Sequence, residues 1–396
     1  MNDRLYFDSN ASTRPADEVV EEMARNLRET WGNPSSVHRV GGEAKRVIEL
    51  ARESVARLVG CQERELVFTS GASESIAIAI RGSMEHFANH SSTRRVFVTT
   101  RFEHSAVREV AQHFERSGHE VVWLRGAGDD SGTPDLDALS ELLDARADEI
   151  ALVSLMWANN ETGALSDVAR AGRLCREHGV RFHSDATQWV GKMPTDFAAL
   201  EFDLASFSPH KFHGPKGVGA LYARRGTRLV AQSVGGPQEL ERRGGTENVA
   251  GIVGFGVAAD LAARWLATEG LALGTVMRDE FERAVVGATG AVVHSAEGAR
   301  LWNTTNLAFA KLEAEAILLL LSERGMFVSA GAACASGSLD PSPILLAMGV
   351  PAELAHGSIR FSISRETTTA QCARAVEIVT QAIAKLRASS ASAIGG

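Results

Sequence analysis

The sequence has few cysteines, and no two of them lie close together. Cys61, Cys175, Cys334 and Cys372 are the four among 396 residues. This spacing excludes a small fold held by disulfides, and it offers no C-x-x-C pair for zinc or dithiol chemistry. We therefore expect a reducing compartment and no resident metal.

Long hydrophobic runs and an excess of positive charge are also absent. The longest aliphatic run covers only residues 316–321, and residues 1–15 contain no basic segment followed by an apolar one. We therefore expect neither a signal peptide nor a membrane span, which suggests a cytoplasmic protein. Lysine and arginine number 41 against 49 acidic residues, so the net charge of −8 disfavours direct nucleic-acid binding.

The composition that is present is that of a packed, enzyme-sized protein. Hydrophobic residues make up 44% of the chain and charged residues 23%, which excludes a disordered or collagen-like chain. At roughly 150 residues per domain, the length predicts two or three domains.

Strand-like and helix-like segments alternate before Gly245. Seven apolar runs with β-branched residues predict strands, at 65–69, 95–100, 120–124, 150–156, 180–183, 204–207 and 218–222. Helical periodicity lies between them, for example at 43–58, 105–116, 136–145 and 167–178. This alternation predicts an α/β domain with a mostly parallel seven-stranded sheet and helices on both faces.

The pattern changes after Gly245. One long helical stretch at 248–284 precedes short predicted strands at 291–294, 305–309, 326–329 and 359–363. The tail from residue 388 is mostly small or polar and is expected to fray. We predict a large domain of residues 15–260 and a small α+β domain of residues 1–14 and 261–396.

A lysine follows the predicted strand 204–207. Lys211 lies within S-F-S-P-H-K-F-H-G-P-K-G, at the carboxyl end of that strand, where open α/β sheets bind ligands. A lysine among other cationic groups can have a lowered pKa, which suits a Schiff-base nucleophile and proton carrier. The alternative is an ordinary surface lysine.

Three other polar groups follow strands at the same edge. The segment 69–75 begins a helix with small residues that let backbone N–H groups approach a phosphate, although a plain helix cap is the alternative. Asp185 could keep a pyridine nitrogen protonated or could cap a helix, and His104 could stack on such a ring or simply pack. An amine, a carboxylate, an imidazole and a phosphate turn together favour pyridoxal 5'-phosphate as cofactor.

With these residues identified, the sequence resembles the cysteine desulfurases of the class V aminotransferase family, close to the NifS and IscS enzymes. Besides the Asp185 and Lys211 segments, the matching segments are 6–15, 32–38, 69–75, 157–163, 242–248, 334–342 and 358–362. The resemblance implies the type I fold of pyridoxal phosphate-dependent transferases. It also implies a homodimer with shared active sites.

The resemblance implies a role for each matching residue around the ring of the cofactor. Lys211 would hold the cofactor covalently, Asp185 would pair with the pyridine nitrogen, and His104 would stack on the ring and exchange protons. Asn160 and Gln188 would hold the phenolic oxygen. Those roles would place the catalytic and ring-binding residues at one edge of the sheet.

Further matches imply how the phosphate and the substrate are bound. The phosphate would contact Ala72, Ser73, Ser208, His210 and, from the neighbouring subunit, Thr246. Arg360 would bind the substrate carboxylate with its guanidinium fork, with Asn160 beside it.

Cys334 matches the family's nucleophile. Its run of small residues suits a mobile loop on the small domain, whereas a buried, unreactive cysteine is the interpretation that we keep for the other three. The implied reaction converts L-cysteine to L-alanine and leaves a persulfide on Cys334, whose sulfur passes to an iron–sulfur scaffold or a thiolation enzyme. Cys334 could also be a transient iron–sulfur ligand.

Three alternative functions remain open from the sequence. The protein could be a class V aminotransferase or a selenocysteine lyase, in which Cys334 matters less. It could also be an inactive homologue that binds partners in sulfur-transfer assemblies, although Lys211 and Asp185 disfavour that interpretation.

Overall fold

A computed structural model describes residues 4–91, 93–330 and 340–394. The strands of this part of the chain are β1 (Leu5–Tyr6), β2 (Leu66–Thr69), β3 (Val96–Thr100), β4 (Val121–Leu124), β5 (Ile150–Ser154), β6 (Arg181–Asp185), β7 (Leu204–Phe207), β8 (Gly219–Ala223), β9 (Val292–Val293), β10 (Thr304–Ala308), β11 (Met326–Phe327) and β12 (Ser358–Ser362).

The α-helices of the described residues are α1 (Asp17–Glu29), α2 (Arg39–Val59), α3 (Ala72–His90), α4 (Ser105–Arg116), α5 (Leu136–Arg146), α6 (Val168–Glu177), α7 (Val249–Leu266), α8 (Gly270–Thr289), α9 (Ala314–Glu323), α10 (Pro343–Ala347), α11 (Ala352–His356) and α12 (Thr369–Ile394). Strands and helices alternate from β2 to β6, as the sequence predicts.

The predicted seven-stranded sheet is confirmed. Its strand order is β2-β8-β7-β6-β5-β3-β4, and each strand lies within two residues of its predicted bounds. All neighbouring pairs are parallel except the two that involve β8, which is antiparallel to both β2 and β7. The other six strands therefore end at one edge, where the residues of the predicted site follow them.

Both faces of this sheet are covered, which explains its continuously apolar strands. In β3, Val96 and Val98 belong to one buried cluster, whereas Phe97 packs on the opposite face with Ile76 and Ile80 of α3. Side chains alternate between the faces of a strand, so a strand buried on both sides is apolar at every position. This burial holds the strand ends, and the loops that follow them, in fixed positions.

A second core lies beside the large sheet. It is built on the antiparallel sheet β12-β10-β9 and on the parallel pair β1-β11, and it includes Leu5 and Phe7 from the start of the chain. The backbone of Asp8 also forms a parallel bridge with Ser362, the last residue of β12. This arrangement carries residues 8–12 to the large sheet's carboxyl edge, while the predicted domain boundaries stay a prediction.

Two predictions about helices are wrong. The stretch 248–284 forms two helices. The Thr268 hydroxyl donates a hydrogen bond to the carbonyl of Trp265 and accepts one from the N–H of Gly270. These bonds end α7 and allow α8 to begin. The tail does not fray at residue 388, since α12 continues to Ile394. Alanine favours helix, and no glycine interrupts the tail before Gly395.

Helix α7 is apolar enough, by length and mean hydropathy of 1.5, to match a membrane span. Ten of its residues are buried, and Phe255 packs against Phe68, Phe207 and Phe212. Its apolar character is thus accounted for by packing beneath the large sheet.

Candidate active site

A cavity of about 440 Å³ opens at the carboxyl edge of the large sheet. The loops after β2, β3, β5, β6 and β7 all contribute to its lining. Nine of the predicted site residues line it: Ala72, Ser73, His104, Asn160, Asp185, Gln188, Ser208, His210 and Lys211. The structure thus brings most of the predicted site together, and the roles of these residues stay predictions.

Lys211 lies in the loop that follows β7, and hydrogen bonds fix the position of its side chain. Its Nζ donates to the backbone carbonyls of Asn10, at 2.8 Å, and Ala11, at 3.0 Å. Both acceptors come from the N-terminal segment that β1 carries across from the second core. The chain therefore provides a place for the lysine ammonium that lies next to the cavity.

The first turn of α3 forms one end of the cavity. The first N–H groups of an α-helix lack partners within the helix and attract anions. Gly219 of β8 lies so close to this turn that a Cβ at its position would be 2.5 Å from the carbonyl carbon of Gly71 and 2.9 Å from the nitrogen of Ala72. Only glycine allows β8 to approach the turn in this way.

Two of the predicted phosphate contacts are already engaged within the chain. The Ser208 hydroxyl donates to the carbonyl of Val218, at 2.8 Å, so it is left as an acceptor only. His210 Nδ1 lies 3.4 Å from the Ser12 hydroxyl, and burial, then the charge of Lys211, lower the pKa of His210 to about 3. The exposed Ser73 and the start of α3 are thus the stronger anion contacts, and Lys216 adds a positive charge to the lining.

His104 is both part of the lining and the N-cap of α4. Its Nδ1 accepts from the N–H of Ala106, at 3.1 Å, which leaves the ring proton on Nε2 in the neutral imidazole. Burial lowers the pKa of His104 and outweighs the opposite effect of Asp185, with Lys211 lowering it further. The imidazole is therefore neutral at pH 7 and can donate a hydrogen bond from Nε2.

The polar side chains of the cavity differ in whether their atoms have hydrogen-bond partners within the chain. Asp185 is buried and its Oδ1 accepts from the N–H of Thr187, at 2.9 Å. Gln188 donates from Nε2 to the carbonyl of Asn10, at 3.0 Å. The side-chain oxygen of Asn160 is buried and has no hydrogen-bond partner within the described protein, which marks unfilled capacity of that amide beside the cavity.

Arg360 lies next to this site but does not line the cavity. Its guanidinium donates to the carbonyl of Asn160, at 3.0 Å, and to the carboxylate of Asp8, at 2.6 Å. Its Nε is buried without a partner among the described residues. The predicted carboxylate-binding arginine is therefore already paired with an acid in this structure.

The other two predicted site residues lie elsewhere. Thr246 is exposed and is absent from the cavity lining, so its role towards a neighbouring subunit stays a prediction. Cys334 lies outside the described residues, so its position stays a prediction. No cluster of three or more metal-ligating side chains occurs in residues 4–91, 93–330 and 340–394.

Sequence reasoning missed three buried polar residues around the site. Asn10 contacts both Lys211 and Gln188, Lys192 donates to both Asn10 and Gln188, and Glu103 accepts from the N–H of Met156. Asn10 lies in a matching segment, 6–15, which could have signalled it. Lys192 and Glu103 gave no sequence signal, because lysine and glutamate are usually exposed.

These features place an amine, a carboxylate, an imidazole and a helix N-terminus around one cavity at the edge of an α/β sheet. Comparison with known families gives the class: residues 5–374 match the model of Aminotransferase class-V. The chain belongs to this family of pyridoxal 5'-phosphate-dependent enzymes.

Within the family, the chain is similar over nearly its whole length to proteins named cysteine desulfurase. The chain is 43% identical over 385 residues to the cysteine desulfurase of Trichormus azollae, covering 97% of this chain and 94% of the relative. It is 41% identical to the cysteine desulfurase NifS of Azotobacter vinelandii, covering 97% and 93%. A solved structure titled NIFS-LIKE PROTEIN has a TM-score of 0.88 at 35% identity, covering 97% of this chain and 100% of that one.

The residues present fit the family's cofactor. The first turn of α3 offers N–H groups to a phosphate, Asp185 offers a carboxylate to a pyridine nitrogen, and Lys211 offers an amine to an aldehyde. The unpartnered amide oxygen of Asn160 is consistent with a polar ligand at the centre of the cavity. Pyridoxal 5'-phosphate is therefore the cofactor that this cavity accommodates.

Proposed function

We propose that the protein is a cysteine desulfurase that converts L-cysteine to L-alanine. The observation that carries the proposal is the meeting of Lys211, Asp185 and His104 in one cavity, in a chain 43% identical to a protein of that name. When bound, pyridoxal 5'-phosphate supplies a protonated ring that takes up the negative charge formed when the Cα proton of the substrate leaves.

The chain's own groups would bind and orient the substrate. Arg360 would receive the α-carboxylate, and Asn160, whose carbonyl already accepts from that guanidinium, would support it from the cavity side. To bind a carboxylate in a bidentate way, Arg360 must share its fork with Asp8 or release it. Asp8 thus holds the guanidinium in place before substrate arrives.

Lys211 would move the Cα proton, and His104 would support the reacting groups with a hydrogen bond. Lys211 would take the Cα proton on Nζ, and the carbonyls of Asn10 and Ala11 then accept from the resulting ammonium. His104, neutral with its hydrogen on Nε2, would donate a hydrogen bond on the cavity side. A buried imidazole with lowered pKa keeps this form over the neutral pH range.

The sulfur transfer itself would use Cys334. Its thiolate attacks the substrate sulfur, an S–S bond forms, and the Cβ–S bond breaks with its electron pair passing to carbon. Protonation of the carbon fragment gives alanine, so the balance is cysteine plus enzyme thiol to alanine plus enzyme persulfide. A sulfur-acceptor protein, an iron–sulfur scaffold or a thiolation enzyme, then takes the terminal sulfur in the cytoplasm.

A homodimer would complete the phosphate site with Thr246. The segment that carries Thr246 is joined to residues 31–38 through Gln238, which contacts both Ser35 and Gly245. Exposed apolar side chains accompany this surface, including Trp31 (73% exposed) and Val37 (106% exposed). Such a patch is typical of a protein interface. Sedimentation of the wild type should therefore give twice the mass of one chain. A double variant with Trp31→Ser and Val37→Ser should give a lower mass.

The activity is tested by incubating the purified protein with L-cysteine, pyridoxal 5'-phosphate and a reductant. Alanine and sulfide should form in equal amounts, and Cys334→Ser should stop sulfide release while the cofactor's visible absorbance remains. Amino-group transfer to a keto acid, or selenocysteine cleavage that survives loss of Cys334, would favour the alternatives. A protein that stays colourless with the cofactor would favour the inactive homologue.

A further inference from the structure

One buried lysine near the cavity has no part in the proposed reaction. Lys192 is 4% exposed and follows β6 by seven residues. Gly191 has a φ of 75°, and a Cβ there would be 2.3 Å from the ring of Phe212, so the backbone leading to Lys192 is tightly confined. The indole of Trp302 also donates to the Lys192 carbonyl, at 3.0 Å.

The hydrogen bonds of Lys192 lead to the cavity. Its Nζ donates to Gln188 Oε1, at 2.5 Å, and to Asn10 Oδ1, at 2.8 Å. Asn10 in turn accepts on its backbone carbonyl from both Gln188 Nε2 and Lys211 Nζ. These four residues form one hydrogen-bonded group, of which Gln188 and Lys211 line the cavity.

This group determines which way the Gln188 amide faces. The backbone carbonyl of Asn10 can only accept, so the atom of Gln188 that contacts it must be the nitrogen. The amide oxygen is therefore the atom that faces Lys192, whose Nζ donates to it. An amide nitrogen has two N–H bonds, and with one used by Asn10 the second remains for the cavity.

The electrostatic surroundings also suit this arrangement. Within the described parts of the chain, Lys192 donates to the amide oxygens of Asn10 and Gln188 and to no carboxylate. Burial, followed by the charges of Lys211 and Arg360, lowers the pKa of Lys192 well below its usual range. An amine keeps N–H bonds in either protonation state, so Lys192 can donate to both amide oxygens from this buried position.

We propose that Lys192 is a positioning residue that, together with Asn10, turns the amide of Gln188 so that an N–H group faces the cofactor's phenolic oxygen. The proposal rests on the proposed role of Gln188 in the proposed function. If the amide turned over, its oxygen would face an anionic oxygen and the interaction would become repulsive. Lys192 thereby acts on the cofactor through a neighbour and touches neither cofactor nor substrate.

The test is Lys192→Met, which keeps the length of the buried side chain and removes its donors. Loss of one oriented hydrogen bond should weaken binding of pyridoxal 5'-phosphate about tenfold and shift the visible absorbance of the bound cofactor. Lys385→Met is the matched control, because Lys385 is exposed on α12. It should bind as the wild type does.

Coupling to Gln188 separates positioning from a purely structural role. In a Gln188→Met background, Lys192→Met should change neither the cofactor's affinity nor its absorbance any further. Lys192→Gln keeps a shorter donor that can reach one of the two acceptors, and it should show an intermediate loss of about threefold. This variant also serves if Lys192→Met does not fold.

Wild-type affinity and absorbance in either Lys192 variant, whatever its melting temperature, would overturn the proposal. Additive effects in the double variant would overturn it as well. Cofactor binding and alanine formation by the wild type are measured in parallel. Failure there would instead refute the proposed function, so the two outcomes can be distinguished.

Discussion

Gly219→Ala tests most directly the end of the cavity that is formed by the first turn of α3, where we expect an anion to bind. The added Cβ would be 2.5 Å from the carbonyl carbon of Gly71, 2.7 Å from its Cα and 2.9 Å from the nitrogen of Ala72. All three are backbone atoms, so no side chain can turn aside to make room. Strand β8 and the start of α3 must separate.

The magnitude follows from two effects. Overpacking of a filled interior costs about 1–3 kcal/mol of the free energy of unfolding. The start of α3 would also be displaced from the anion, and a helix N-terminus stabilises a bound anion by about 0.3–2 kcal/mol. Complete loss of that interaction corresponds to about two- to thirtyfold weaker binding of pyridoxal 5'-phosphate.

The assay is a cofactor titration by absorbance, together with thermal unfolding of the cofactor-free protein. Gly42→Ala is the matched control, because Gly42 lies in α2, is exposed, and a methyl group added there would have no atom within 4 Å. Alanine at this position should stabilise the protein by about 0.5–1 kcal/mol without affecting the cofactor. A Gly219→Ala protein that binds the cofactor like the wild type and unfolds no earlier would refute the reasoning.

Three further changes are expected to have distinct outcomes. Burial raises the pKa of Glu103 well above its usual range, so the contribution of Glu103 to the free energy of unfolding falls as pH rises from about 4 towards that raised pKa. Glu103→Gln should therefore raise the melting temperature more at pH 8 than at pH 5. An equal gain at both pH values would contradict this. His104→Asn keeps an N-cap for α4, whereas His104→Ala should lose about 1 kcal/mol of the free energy of unfolding. Both variants should slow alanine formation. Equal melting temperatures of the two variants would argue against the capping role. Asp8→Asn removes the negative charge that pairs with Arg360. We therefore expect an altered KM for L-cysteine, measured by alanine release, with little change in cofactor affinity. An unchanged KM would argue against a role of Arg360 in substrate binding.

The sheet could be predicted from the sequence because its signals are local. Each strand is an apolar run bounded by turn residues, and the polar residues that follow parallel strands must meet at one edge. That rule alone places Asp185, His104 and Lys211 together. The same local reasoning joined α7 and α8 wrongly, since a single side chain, Thr268, ends the first helix.

The polar support of the site could not be predicted in the same way. Asn10 reaches Lys211 across 201 positions of sequence, and it does so because the N-terminal segment is tied to the second core through β1 and the Asp8–Ser362 bridge. Lys192 is buried against the usual tendency of lysine, and only its contacts show why. Such groups depend on tertiary contacts that no local pattern encodes.

The most direct test of the central claim is a single turnover with L-cysteine and no reductant, followed by mass analysis of the peptide that contains Cys334. We expect one alanine for each sulfur atom added to that peptide, and no added sulfur on Cys61, Cys175 or Cys372. Burial raises the pKa of each of these three thiols, to about 12 for Cys61 and about 11 for Cys372, which keeps them unreactive. Alanine formation with no sulfur on Cys334 would contradict the proposed function.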